Sequence, residues 1–173
     1  MGTYGWVGEY RRIYDKAVEL YRHGKRTPAE FFTPEEQKFL AAIGQTPMEV
    51  YDFAEDWVAD GEPDFGTALL IVSARRDYFL VEQAGHPSAV HRSVEEFPRK
   101  TETIEGIEWL ARIIEKARAK LRGELPPELM YGCGGDRAFL KKVDVHPADF
   151  LRVVWSAHQE TAKIVAFVKD RQR

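Results

Sequence analysis

GIEWLARIIEKARAKLRGELPPELMYGCGGDRAFL, from Gly106 to Leu140, is the stretch on which the fold turns. Its first half repeats apolar residues at three-, four- and seven-residue steps: Ile107, Leu110, Ile113, Ile114, Ala117 and Leu121. That spacing places them along one stripe of an amphipathic α-helix. Arg112, Glu115, Lys116 and Lys120 fall off the stripe, and Glu108 precedes Arg112 by four residues, where helical side chains meet. Thr103 suits the N-cap, Gly123 suits the C-cap, and Pro126-Pro127 forbid continuation. Tyr131-Gly132-Cys133-Gly134-Gly135-Asp136 then reads as a loop opening a second helix with Phe139 and Leu140.

The same grammar runs through the rest of the chain. Trp6, Tyr10, Ile13, Ala17 and Leu20 share a helical face from about Tyr4 to His23, which Gly24 ends. Thr33-Pro34-Glu35-Glu36 and Thr46-Pro47-Met48-Glu49 each combine an N-cap, a proline at the first helical position and a capping-box glutamate. Asp64 caps a fourth helix, expected from Phe65 to about Ala84 and apolar nearly all round at residues 68–72, as in a centrally buried helix. Gly85 to Lys100 reads as a connector with one short turn near Ser93 to Phe97. His146-Pro147-Ala148-Asp149 opens a helix with Phe150, Leu151 and Val154, and a last segment carries Ile164, Val165 and Val168.

Set one hundred residues apart, the two halves align without gaps. Over the 41 pairs from Tyr10/Leu110 to Val50/Phe150, eight are identical, where roughly two or three would follow from ordinary composition. Arg12/Arg112, Lys16/Lys116 and Pro47/Pro147 are among them. The expected architecture is an all-α helical bundle of two duplicated multi-helix units, packed face to face in a single compact domain over residues 1–173. The first repeat covers about residues 4–84, the connector 85–103 and the second repeat 104–173.

Composition narrows the function classes. Apolar residues make up 44% and charged residues 31% of the 173, as in a folded soluble protein. A net charge of −3 with both signs interspersed offers no basic stripe, so nucleic acid is not an expected partner. The most apolar run is too short to span a bilayer, the start carries no signal-peptide core, and the lone cysteine forms no internal disulfide. The expectation is a cytoplasmic protein with no membrane contact.

The second half is similar to a bacterial family without an assigned activity, domain-of-unknown-function family 5069. The resemblance covers roughly residues 104–170. It lies in Ala111-Arg112-Ile113-Ile114-Glu115-Lys116-Ala117-Arg118-Ala119, in Tyr131 to Asp136, and in Phe139-Leu140. Glu115 stands for the family's Asp, and Gly134-Gly135 for its Pro-Leu, which makes this loop more pliable. The first half resembles the family only through the internal repeat, with Thr33 in the place of Cys133. The resemblance implies a fold and a region of interest, and no reaction.

Candidate site residues are therefore Arg112, Glu115, Lys116, Tyr131, Cys133 and Asp136. Cys133, at a helix entrance, reads either as a nucleophilic or redox thiol or as a small buried apolar residue. Asp136 reads as a binding carboxylate or as a first-turn acid. The charges on the preceding helix either converge on the loop or form a solvated face. His86 and His91 follow no zinc spacing, so no metal is expected, and no cofactor is identified. The glycines allow a bound group, above all an anion, to approach the backbone, which makes the loop from Glu128 to Asp136 one expected wall of any ligand site. A small-molecule- or protein-binding role comes first. A small enzyme using Cys133 or the Arg112/Glu115/Lys116/Asp136 cluster comes second, a structural subunit third, and a homo-oligomer is compatible with each.

Overall fold

Capping and periodicity place most helix ends in this computed structural model, which describes residues 3–171. Among the described residues there are eight α-helices and one two-stranded hairpin, so the protein is all-α. The chain divides between His86 and Pro87 into two compact units. The expected boundaries at 1 and 173 fall on Met1 and Arg173, outside the described residues.

In the first unit α1 (Trp6–Arg22) buries Tyr10, Ile13 and Ala17 and packs on α3 (Pro47–Asp60). A side chain of the size of Ile13 removed from water contributes about 1.5–3 kcal/mol before chain entropy is counted. The threonine-proline signals both give capping boxes. Glu36 N donates to Thr33 Oγ1 at 3.3 Å and Thr33 N to Glu36 Oε2 at 2.9 Å, opening α2 (Pro34–Ala42). Thr46 and Glu49 do the same for α3. Asp64 accepts from Thr67 N at 2.8 Å and opens α4 (Phe65–Val81), which ends three residues before the expected Ala84. Ala68, Ile71 and Val72 of α4 are buried, whereas Leu70 is exposed, so burial is not uniform round this helix.

The second unit opens differently from its expected helix. Residues 103–108 form a hairpin, β1 (Thr103–Ile104) pairing antiparallel with β2 (Ile107–Glu108). Glu105 and Gly106 between them both have positive φ, 49° and 80°, as a two-residue type I′ turn requires. A glycine costs a helix about 1 kcal/mol, and β-branched flanks prefer a pleated strand, so the local preference runs against the wider period. Thr103 is thus a strand residue and not an N-cap, and α5 (Leu110–Arg122) starts after it. Arg112 consequently misses Glu108 and donates to Pro98 O at 2.6 Å. Beyond α5 come α6 (Gly134–Lys142), α7 (Pro147–Ala157) and α8 (Thr161–Arg171); α7 packs on α5, and α8 on both.

Several local arrangements recur one hundred positions apart. α2 spans 34–42 and α6 spans 134–142, and α3 and α7 begin on Pro47 and Pro147. After α2 the chain reverses at Gly44 (φ 73°), and after α6 at Asp144 (φ 51°). Gln45 N then bonds Leu40 O at 2.8 Å, as Val145 N bonds Leu140 O at 2.9 Å. Lys16 reaches the carboxylate of Glu36, and Lys116 that of Asp136.

Candidate functional site

The sealed carboxylate of Asp136 organises the second unit. It stands in the first turn of α6 and is wholly buried. Its Oδ2 accepts from Lys116 Nζ at 2.5 Å and from Gly132 N at 2.9 Å, and its Oδ1 from Trp109 Nε1 at 2.9 Å. A buried charge is tolerated only when its lone pairs and its counter-charge are both met, and here both are. Three hydrogen bonds therefore tie the end of the hairpin, α5 and the loop to the start of α6. Of the two sequence readings of Asp136, its contacts are those of a first-turn structural acid.

Trp109 reaches this carboxylate through an unusual backbone. Its φ of 69° is left-handed, a conformation that a bulky residue adopts only when its surroundings over-determine it. The indole then lies against Gly135, where a Cβ would collide with Trp109 Cζ2. The close approach permitted by this glycine is thus made by a side chain of the same unit. Gly132, at φ 87°, supplies the other sharp turn of the loop.

Cys133 is the N-cap of α6, half-buried, and its side chain caps nothing. Its Sγ lies 3.3 Å from Lys116 Nζ. The lysine, 2% exposed, is therefore shared between a carboxylate and a thiol. Tyr131 is buried beside them, and its hydroxyl donates to Pro147 O at 2.8 Å, fixing the loop to the start of α7. Burial, with a smaller contribution from the Asp136 charge, pushes the Tyr131 phenol well above its ordinary pKa, so it stays a donor.

Lys116, Tyr131, Cys133 and Asp136 thus gather around one loop, while Arg112 and Glu115 make their contacts elsewhere. Glu115 pairs with Arg118 at 2.8 Å and with Arg92 at 3.4 Å, and Arg112 holds Pro98 O. Arg118 also donates to Thr161 Oγ1 at 2.9 Å, linking α5 to α8. Trp109 was not among the expected site residues, because a residue 27 positions before Asp136 signals nothing by spacing. At the other end of α5, a cleft of about 160 Å³ opens between His91-Arg92 and Glu124-Leu125-Pro126. Among the described residues no three His, Cys, Asp or Glu side chains gather as a metal ion would need, and no helix is long and apolar enough to cross a membrane.

Residues 95–173 match the family described as a domain of unknown function, DUF5069, which covers the hairpin and α5 to α8. No curated protein and no solved structure matches the chain.

Proposed function

We propose, with the DUF5069 half as premise, that the protein acts through the thiol of Cys133 on a small electrophile or oxidant. The single observation behind this reading is the lysine ammonium 3.3 Å from a partly accessible sulfur. A sulfur nucleophile carries negative charge, and Lys116 together with the N-terminus of α6 matches that charge. Asp136 holds the lysine in place, and Tyr131 holds the loop; neither needs to touch the substrate. A single free thiol suits a reducing bacterial cytosol, which we take as the protein's setting.

The test is the rate of alkylation by iodoacetamide, followed by peptide mass spectrometry. Native Cys133 is expected to react faster than the same thiol in protein unfolded by guanidinium at equal pH. A native rate below the unfolded one refutes the reading. The cleft beside Pro126 favours a second role, binding of a small molecule or a protein segment without chemistry, in which case the thiol is a bystander.

We also infer that the two units arose by duplication and diverged in use. The matched spans of α2 and α6, and the lysine–carboxylate pair at the same two positions, support this. In the first unit Thr33 replaces the cysteine and caps its helix, so the chemistry is confined to the second.

A further inference from the structure

Cys133 is not an isolated thiol, because an amine sealed from solvent lies within 3.3 Å of its sulfur and has a proton acceptor on its far side. Lys116 is 2% exposed, and Asp136 Oδ2 sits 2.5 Å from Nζ. From this triad we propose that oxidation of Cys133 by a peroxide ends in a covalent sulfur–nitrogen bond to Lys116. The proposal rests on Cys133 being the reactive thiol of the preceding subsection and names how that site is regulated.

The chemistry balances in two steps. The thiol and one hydroperoxide give the sulfenic acid and one water or alcohol; sulfur loses two electrons and the O–O bond takes them. Nζ, having passed a proton to Asp136, then attacks the sulfenic sulfur and the S–O bond breaks. The hydroxyl leaves with the amine's second proton as water. The lysine has lost two protons, one now on Asp136 and one in the water, and the S–N bond is the sulfenamide that sulfenic acids form with nearby nitrogen. A reductant thiol reverses it by attacking sulfur and returning the free amine.

Two features of the site favour this over further oxidation. Nζ cannot leave, because α5 and Asp136 fix it, so the effective concentration of amine at sulfur is far above that of any solute. The half-buried position of Cys133 admits a peroxide, while the lysine occupies one side of the sulfur. In the first unit Thr33 stands at this position, so no corresponding bond can form between Lys16 and that residue.

The experiment treats the full-length protein with a small molar excess of hydrogen peroxide, with and without dimedone, and reads intact and tryptic masses. The expected product has lost two hydrogens, about 2 Da, joins the peptides of Lys116 and Cys133, and reverts with dithiothreitol. Cys133→Ser should show none of it. Lys116→Met, whose thiol has lost its neighbouring ammonium and reacts more slowly, should carry a several-fold larger share of its oxidised Cys133 as dimedone adduct and sulfinic acid, with no linked product. Oxidised wild type that shows a dimedone adduct in one arm but leaves Lys116 and Cys133 unlinked in the arm without dimedone overturns the bond and leaves the thiol reading standing. A linked product heavier by one oxygen that reverts with dithiothreitol is an S–O–N bridge and overturns the direct S–N bond. Failure of native Cys133 to react with either peroxide or iodoacetamide overturns both readings.

Discussion

Replacing Lys116 by methionine tests the central arrangement of the second unit most sharply. The change keeps most of the length and apolar stem of the side chain and removes its ammonium, with the charge and the N–H donors to Asp136 and Cys133. Asp136 then remains fully buried with Gly132 N and Trp109 Nε1 but without a cation. Stranding one partner of a buried pair costs about 3–5 kcal/mol, a large share of the roughly 5–15 kcal/mol that holds a domain together. The matched change in the first unit, Lys16→Met, should cost far less, about 0.5–1 kcal/mol. Lys16 is 34% exposed, and Glu36 keeps Arg12 at 3.0 Å and Thr33 N at 2.9 Å. Adding Asp136→Asn to Lys116→Met removes the orphaned charge and should restore about 1–3 kcal/mol. Urea unfolding read by tryptophan fluorescence and by circular dichroism measures the wild type and all three variants. If Lys116→Met costs under 1 kcal/mol, or no more than Lys16→Met, the carboxylate is not the keystone described above.

Four other outcomes follow from the same structure. Gly135→Ala puts a methyl into the Trp109 indole and should cost about 1–3 kcal/mol by overpacking, with altered indole fluorescence. Gly134→Ala, whose nearest neighbour is Arg137 Nη2 at 3.8 Å, should be neutral or stabilising by up to about 1 kcal/mol in the same melts. Burial raises the Glu36 pKa, but hydrogen bonds from Lys16, Thr33 N and Arg12 outweigh it and hold it below 4.5. Its contribution to stability is therefore present above the unfolded value and lost as pH falls through the lower folded one, so Glu36→Gln should flatten the acid limb of a stability–pH curve. Burial raises Tyr10 and Tyr131 well above 10.0, and Tyr14 to about 12. Their contribution is complete below the unfolded value and declines as pH rises toward the folded ones, so in ultraviolet difference titration Tyr10 and Tyr131 should ionise only as the protein unfolds.

Helix starts were legible because their signals are local. Thr33, Thr46, Asp64 and His146 each announce an N-terminus within four residues, and each caps the helix it announces. The start of α5 was not legible, since a six-residue apolar stripe outweighed the two positions, Glu105 and Gly106, that force a reversal. Of the site, Lys116, Tyr131, Cys133 and Asp136 were identified together because α5 and its loop are near in sequence. Arg112 and Glu115 share a helix with Lys116 but reach residues 92–98 and Arg118 instead, a choice that a linear pattern of charges does not encode. The indole of Trp109 on Asp136 depends on one left-handed φ, which no composition or period reveals.

The two lysine–carboxylate pairs also sit on opposite sides of the solvent boundary. Dissolved ions screen charge over about 8–10 Å at ordinary ionic strength, but only where water and counterions can approach. They reach Lys16, a third exposed, and do not reach Lys116. Raising the salt concentration therefore loosens the α1–α2 junction and leaves the α5–α6 junction as it was. At high salt, the half of the chain that carries the thiol is the half whose wiring is insulated.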